Sequence, residues 1–219
     1  MKGLAINDDT SLEKQADVMG GKAYFTADDG SGKGLWVTDG TTNGTQMLRG
    51  NMQRIDGLAA TSNKVFFLGD DGVSGLELWV TDGNSAPSSL DLAFGAGTVD
   101  PSQLITTNNM AYFAANNTWG VEIWKSDGTI GGTVMIRDIN TTSDGGVGTL
   151  GSNPFGLTAM GERVLFGASD GTGAEPWITD GTSNTLAGGE RVRLITDPAL
   201  YPEGVTYGTG EEYGTWAMG

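Results

Sequence analysis

Apolar residues in this chain come in short runs closed by glycine, asparagine or aspartate, and the runs recur as a set. One run reads KAYFTA, KVFFLG, MAYFAA and RVLFGA, beginning at Lys22, Lys64, Met110 and Arg163. Aromatic and β-branched residues bounded by turn formers predict buried strands. Another reads GLWVT, LELWVT, VEIWKS and AEPWIT, each followed by Asp-Gly. Its tryptophans Trp36, Trp79, Trp124 and Trp177 stand 43, 45 and 53 residues apart. The last spacing is lengthened by insertions around 140–153 and 186–190. A short apolar run precedes each aromatic strand and another follows each Asp-Gly, so every repeat predicts strands A, B, C and D. No window keeps the i, i+3, i+4 pattern of a helix for three turns, and glycine interrupts nearly everywhere.

The Asp-Gly pairs at Asp39, Asp82, Asp127 and Asp180 predict hairpins. Aspartate bonds its own backbone, and glycine takes positive φ without steric cost. A tryptophan three residues earlier puts a large ring at one height on strand C, as a layer between neighbouring units requires. A four-stranded meander of this length cannot bury both faces alone, and units of this kind stack radially as propeller blades. The expected fold is therefore all-β, a β-propeller of four-stranded blades in one domain spanning 1–219. The blades run about 13–50, 51–95, 96–140 and 141–197. LAIND at Leu4–Asp8 matches strand D, and Pro202–Gly219 matches strands A and B. A fifth, split closing blade is expected from 1–12 plus 198–219, lacking strand C. That strand could be missing because the array continues elsewhere, because the blade is irregular, or because another molecule supplies it. A β-solenoid or an open array of blades is the alternative.

With these residues in view, the chain resembles the bacterial proteins named for their ELWxxDGT repeat. ELWVTDG at Glu77–Gly83 departs from that motif only by Asn84, and GLWVTDGT, EIWKSDGT and EPWITDGT are close variants. The resemblance covers essentially the whole chain. It implies an exported or surface-associated propeller-like protein and transfers no catalytic residue. Gly34 stands where the motif has glutamate, and Pro176 inside strand C implies a bulge or an edge position. The third unit has NNTW where the others have an acidic loop.

Composition narrows the function. Glycine is 37 of 219 residues, well above the usual ~7%, as a turn-dense β protein needs. The net charge of −15 repels nucleic acid and anionic membranes, and its twelve basic residues do not cluster. There is no cysteine and no histidine, which removes thiolate chemistry, the commonest general base and the commonest transition-metal ligand. No apolar run approaches the ~20 residues of a membrane-spanning helix. MKGLAINDDT has no signal-peptide core, so either the chain is not exported by that route or the signal is absent from this sequence.

Candidate chemistry is sparse. Asp28, Asp29, Asp70, Asp71 and Asp170, in the loops between strands B and C, are candidate calcium ligands, the only cofactor expected. They lack the D-x-D-x-D-G spacing of a dedicated loop. The motif aspartates are read as turn residues and the repeated tryptophans as packing between blades rather than sugar platforms. Trp119, with Asn116 and Asn117, lies outside the repeated position in a polar loop, the kind of aromatic that meets a ligand or protein. Trp216 and Tyr213 fall in the incomplete blade. Glu77, Glu122 and Glu175 recur at one position, which argues for structure, since an active site needs unlike groups in unlike environments. The expected function is a non-enzymatic extracellular or cell-surface module for binding or adhesion, with a glycan or protein ligand. The alternative is a structural subunit of a surface layer or filament that self-associates through its incomplete blade.

Overall fold

The computed structural model describes residues 5–6, 16–73, 75–90, 101–117, 119–142, 150–181 and 192–194. All its regular elements are β-strands, in four antiparallel sheets. The first sheet holds β1 (Ala5–Ile6), β2 (Ala16–Met19), β3 (Lys22–Asp28), β4 (Lys33–Thr38) and β5 (Gln46–Met52). The second holds β6 (Arg54–Ala60), β7 (Val65–Asp70), β8 (Leu76–Thr81) and β9 (Ser88–Leu90). The third holds β10 (Ser102–Thr106), β11 (Ala111–Asn117), β12 (Gly120–Ser126) and β13 (Val134–Arg137). The fourth holds β14 (Phe155–Met160), β15 (Arg163–Ser169), β16 (Ala174–Thr179) and β17 (Val192–Leu194). The second, third and fourth sheets are meanders in sequence order, as is the first from β2 onward, and strands A of successive sheets meet one another.

Register explains the repeated aromatics. Phe25, Phe67, Phe113 and Phe166 on strand B lie directly opposite Trp36, Trp79, Trp124 and Trp177 on strand C. The rings stack, with centroids 5.9 Å apart for Phe67–Trp79 and 6.4 Å for Phe113–Trp124. This pair covers the near face of its sheet, turned towards the preceding one. Phe67 and Trp79 pack on Tyr24, Leu35 and Val37; Phe113 and Trp124 on Phe66, Leu78 and Val80; Phe166 and Trp177 on Tyr112 and Ile123. Each core therefore lies between two sheets and joins the near face of one to the far face of the other. The indole N–H groups of Trp79, Trp124 and Trp177 donate to the strand B carbonyls of Gly69, Ala115 and Ala168, at 2.9, 3.2 and 3.0 Å. Trp36 is only half-buried, on the one near face with no preceding sheet among the described residues, and its Nε1 lacks a hydrogen-bond partner.

The first segment departs from expectation. Leu4–Asp8 reads as a strand D, but Ala5 and Ile6 pair with Asp28 and Ala27 of β3. Arg54 and Ile55 hold the equivalent ladder positions on β7 in the second sheet. β1 and β2 thus lie on one edge of β3 and share the place of a single strand A. The first repeat also extends past residue 50, since β5 runs to Met52 and only Gln53 separates it from β6. Residues 198–219, the remainder expected in a split closing blade, lie outside the described residues, as do Tyr213 and Trp216.

Strand A carries an irregularity at one place in the second, third and fourth sheets. Gly57, Gln103 and Gly156 sit there with φ of 56°, 59° and 64°. Two of the three are glycine because a Cβ is strained in that region. Gln103 offsets the strain by accepting the Gly156 N–H on its Oε1 at 3.0 Å, a bond that ties the third sheet to the fourth. Pro176 pairs with Gly167 in regular register, while β17 pairs only Trp177 to Thr179, so the missing donor falls beyond the β17 ladder.

Candidate functional site

Loops B–C and the links between sheets share one rim of the molecule, and turns A–B and C–D share the other. On the first rim, four loops use one device. Ser31, Val73, Trp119 and Thr172 donate their backbone N–H to the side-chain oxygen two residues back, on Asp29, Asp71, Asn117 and Asp170. These bonds measure 3.0, 3.1, 2.8 and 2.9 Å. An acceptor on a short side chain two residues back closes the backbone locally, whatever the following residue is. The frame is constant and the residue it presents is not. Val73 is 86% exposed and Trp119 is 47% exposed. Leu150 is exposed in the link after the third sheet, and that link passes so close to Gly120 that a Cβ there would collide with the Gly151 backbone.

The residues predicted for binding divide. Trp119 and Asn116 are exposed, as a contact surface needs. Asn117 serves the frame: its Oδ1 takes the Trp119 N–H and its Nδ2 lies 3.5 Å from Met135 Sδ. The calcium candidates also belong to the loop backbone. Asp28 Oδ1 accepts from Gly30 and Gly32, Asp70 Oδ1 from Gly72, and Asp71 Oδ2 pairs with Arg49 at 3.1 Å. The Ser31 hydroxyl and N–H lower the Asp29 pKa, and Thr172 lowers that of Asp170. No group of three or more acidic residues converges among the described residues, whereas calcium needs six to eight oxygens.

The second rim carries the Asp-Gly turns. The pair opens a turn of six or more residues rather than a tight hairpin, as between Thr38 of β4 and Gln46 of β5. Thr38, Thr81, Ser126 and Thr179 accept the N–H of Gly40, Gly83, Gly128 and Gly181, at 2.9 to 3.0 Å. The motif aspartate then takes the N–H and hydroxyl of the following threonine, as Asp39 does from Thr41 and Asp127 from Thr129. Those donors lower the pKa of both carboxyls. The later Gly-Thr also has a reason: a Cβ on Gly44 or Gly132 would enter the carboxylate of Asp39 or Asp127. The turn glycines further admit the preceding sheet. Tyr24 reaches Gly83, Lys64 donates to the Asp127 carbonyl beside Gly128, and Tyr112 reaches Gly181. Burial, then Asp180 and Glu162, push the Tyr112 hydroxyl up to about 12.

The motif glutamate is a further device. Glu122 is fully buried, and its carboxylate takes the Ser152 N–H at 2.8 Å, the Ser152 hydroxyl at 2.6 Å and the Ile139 N–H at 3.2 Å. It holds both ends of the link between the third and fourth sheets. Burial pushes its pKa up to about 7, aided by Asp138 and opposed by the Ser152 and Ile139 donors. Glu77 is buried at the same position of the second sheet, before the link 91–101. Gly34 is the exception that explains the pattern. A side chain there would strike the Arg49 carbonyl, and the link that follows is Gln53 alone. In the second and third sheets the buried glutamate precedes a long link, and Glu122 holds the one that follows it. Sequence reasoning placed these glutamates in the structure but missed their partners, because Ile139 and Ser152 carry no motif of their own.

No family model and no curated protein matches the chain. Solved structures do match, and these neighbours are β-propeller-like. Acylaminoacyl peptidase of Pyrococcus horikoshii is 15% identical with a TM-score of 0.52, over 83% of this chain and 27% of that one. Prolyl oligopeptidase B of Galerina marginata is 14% identical with a TM-score of 0.50, over 82% of this chain and 26% of that one. TolB of Acinetobacter baumannii is 13% identical with a TM-score of 0.47, over 83% and 43%. This chain therefore spans about a quarter of the peptidases' length, 43% of the Acinetobacter TolB and 67% of a TolB-like chain of Agrobacterium tumefaciens. The peptidase likeness runs through their propeller domains and establishes no enzyme. The fold is all-β and propeller-like.

Proposed function

We propose that this protein is a non-enzymatic, extracellular or cell-surface binding module of the ELWxxDGT-repeat kind. In this reading five blades close the propeller, the last drawn from residues after Leu194, and the rim bearing Trp119 meets a glycan. One observation carries it: four equivalent turns, locked by one backbone hydrogen bond each, present Ser31, Val73, Trp119 and Thr172. Constant frames with variable tips suit recognition better than chemistry, and an exposed indole beside Asn116 offers a sugar a stacking face with a polar neighbour. The absence of histidine and cysteine from the sequence and the engagement of Glu122 in a link support the non-enzymatic part. A glycan array probed with the wild type and with Trp119→Ala tests it. Binding that the substitution abolishes supports the reading; no binding, or binding indifferent to Trp119 and Val73→Asp, overturns it.

A second reading, self-association into a surface layer or filament, is favoured by Phe155 and Met160, which lie exposed on the fourth sheet. Sedimentation at micromolar concentration, with and without millimolar Ca²⁺, separates the two. A compact monomer in both conditions disfavours assembly, and a Ca²⁺-dependent change would return the loop aspartates to consideration as ligands.

A further inference from the structure

We infer that the residue before each Asp-Gly turn is a chemical guard, which holds the glycine N–H so that the folded chain does not convert its turn aspartates to isoaspartate. The turns create the hazard themselves. Their glycines have φ of 77° to 102°, where an L side chain is strained, so glycine is required. Glycine is also the follower that leaves an aspartate most open to ring closure, because no side chain shields its backbone nitrogen. That nitrogen attacks the aspartate Cγ. A C–N bond forms, and the carboxyl hydroxyl leaves with the amide proton as water. A second water then reopens the succinimide. Opening at the side-chain carbonyl restores aspartate; opening at the main-chain carbonyl routes the chain through Cβ and Cγ, which is isoaspartate. Water is released and then consumed, and nothing is oxidised or reduced.

Seven Asp-Gly bonds stand in turns among the described residues, and all seven are held in one way. In the four C–D turns the holder is the serine or threonine that ends strand C. In three B–C loops it is Asp28, Asp70 or Ser169, whose side-chain oxygen accepts the N–H of Gly30, Gly72 or Gly171, at 2.7, 2.7 and 3.1 Å. The acceptor always immediately precedes the aspartate at risk. Its bond fixes the peptide plane, and ring closure needs that plane to turn its nitrogen onto Cγ. The carboxyl is held as well. Asp29, Asp39, Asp71, Asp82, Asp127 and Asp170 each accept the N–H two residues on, which aims the group past the glycine. Bonds from the hydroxyl and N–H of Ser31, Thr41 and Thr129 also lower the pKa of Asp29, Asp39 and Asp127, and an ionised carboxyl has no hydroxyl to lose. Asp56–Gly57 marks the limit of the device. It lies within strand β6 rather than in a turn, and Ile55 before it carries no acceptor. The acceptor goes with the turn.

An acceptor that served the turn alone would change stability; a guard also changes the rate of one covalent reaction at one site. The full chain is kept folded for weeks at near-neutral pH, and isoaspartate is located by peptide mapping with electron-transfer mass spectrometry. The same chain in guanidinium chloride is the unguarded reference. Conversion at the seven turns should be at least about tenfold slower in the folded protein, as for reactions that wait on local opening. Ser169→Ala should raise conversion at Asp170 several-fold while Asp39 stays slow, and Thr38→Val should do the reverse. Ser169→Thr, which keeps the oxygen, should restore protection at Asp170. If one of the two deletions does not fold, the other, on the opposite rim, gives the same readout. Equal rates in the folded and unfolded chain overturn the inference. So does a variant whose own aspartate stays slow. A rise at all seven sites together overturns it too, because unfolding of the whole chain then governs the reaction.

Discussion

At the scale of single residues, the repeated motif is a set of connectors, each satisfying a different neighbour. The tryptophan fills the space before its sheet, the threonine and aspartate close the turn after it, and the glycine lets the previous sheet approach. Gly181 has φ of 77° and the Tyr112 hydroxyl against it. Gly181→Ala is expected to cost about 1–3 kcal/mol by denaturant unfolding, from backbone strain and steric overlap together. Adding Tyr112→Phe should recover part of that loss, since it removes the hydroxyl oxygen, and a double-mutant cycle measures the coupling. The two kinds of tryptophan should also separate. Trp124→Ala removes a ring from the core between sheets and should cost about 3–5 kcal/mol. Trp119→Ala, at an exposed loop tip, should stay within about 0.5 kcal/mol. Equal losses for the two would sink the division between frame and presented residue.

At the scale of strands and links, hydrogen bonds decide what hydrophobic packing leaves open. Successive strands A are tied by short polar contacts: the Ala60 N–H to Asp17 at 2.8 Å, the Thr106 hydroxyl to the Ala60 carbonyl at 2.7 Å, and Gly156 to Gln103. Glu122 does the same for the link behind β13. Its carboxyl has a pKa of about 7 in the folded protein, raised from 4.5 by burial. A carboxyl whose pKa rises on folding contributes stability that is complete below the unfolded value and is lost as pH rises through the folded one. Unfolding free energy should therefore carry a component that falls between about pH 4.5 and pH 7. Glu122→Gln should remove that component and lower stability throughout, because its amide nitrogen must face one of the two N–H groups, that of Ser152 on Oε1 or that of Ile139 on Oε2. Parallel pH profiles of wild type and variant would refute the assignment.

At the scale of the whole molecule, the balance of 27 acidic against 12 basic residues sets a repulsion that packing must overcome. Among the described residues, Asp28, Asp29, Asp39, Asp70, Asp71, Asp82, Asp127 and Asp170 occupy turns on the two rims and accept local N–H groups. Raising sodium chloride from low to moderate concentration should raise the melting temperature by screening that repulsion, within a Debye length of ~8–10 Å at physiological strength. Calcium in place of sodium at equal ionic strength should add nothing if the loop aspartates serve only their own backbone. A saturable further rise would show a site that the described loops do not display. The ends of the array matter at this scale too. Cores lie between sheets, and the first near face, with Phe25 and Trp36, and the fourth far face have no facing sheet among the described residues.

The repeat was legible in sequence because local physics writes it. Alternation, aromatic strands and Asp-Gly turns each act within a few residues, so the four units, their strand order and the turn role of the aspartates follow from the chain alone. The exposed position of Trp119 was readable on the same terms. Other features depended on partners far away in sequence. LAIND has the pattern of a strand D, yet an apolar pair suits any ladder edge, and pairing with Asp28 and Ala27 placed it on β3. Asn117 looked like a ligand contact until its carboxamide proved to hold the loop it sits in. Glu122 resembled any repeated acid, and only the approach of Ser152, thirty residues on, gave it a role. The sequence alone determined which elements form, because hydrogen bonds in turns and side-chain alternation are local. The tertiary structure alone decided which of those elements meet and which polar groups are buried, because a buried carboxylate needs donors that only packing can bring to it.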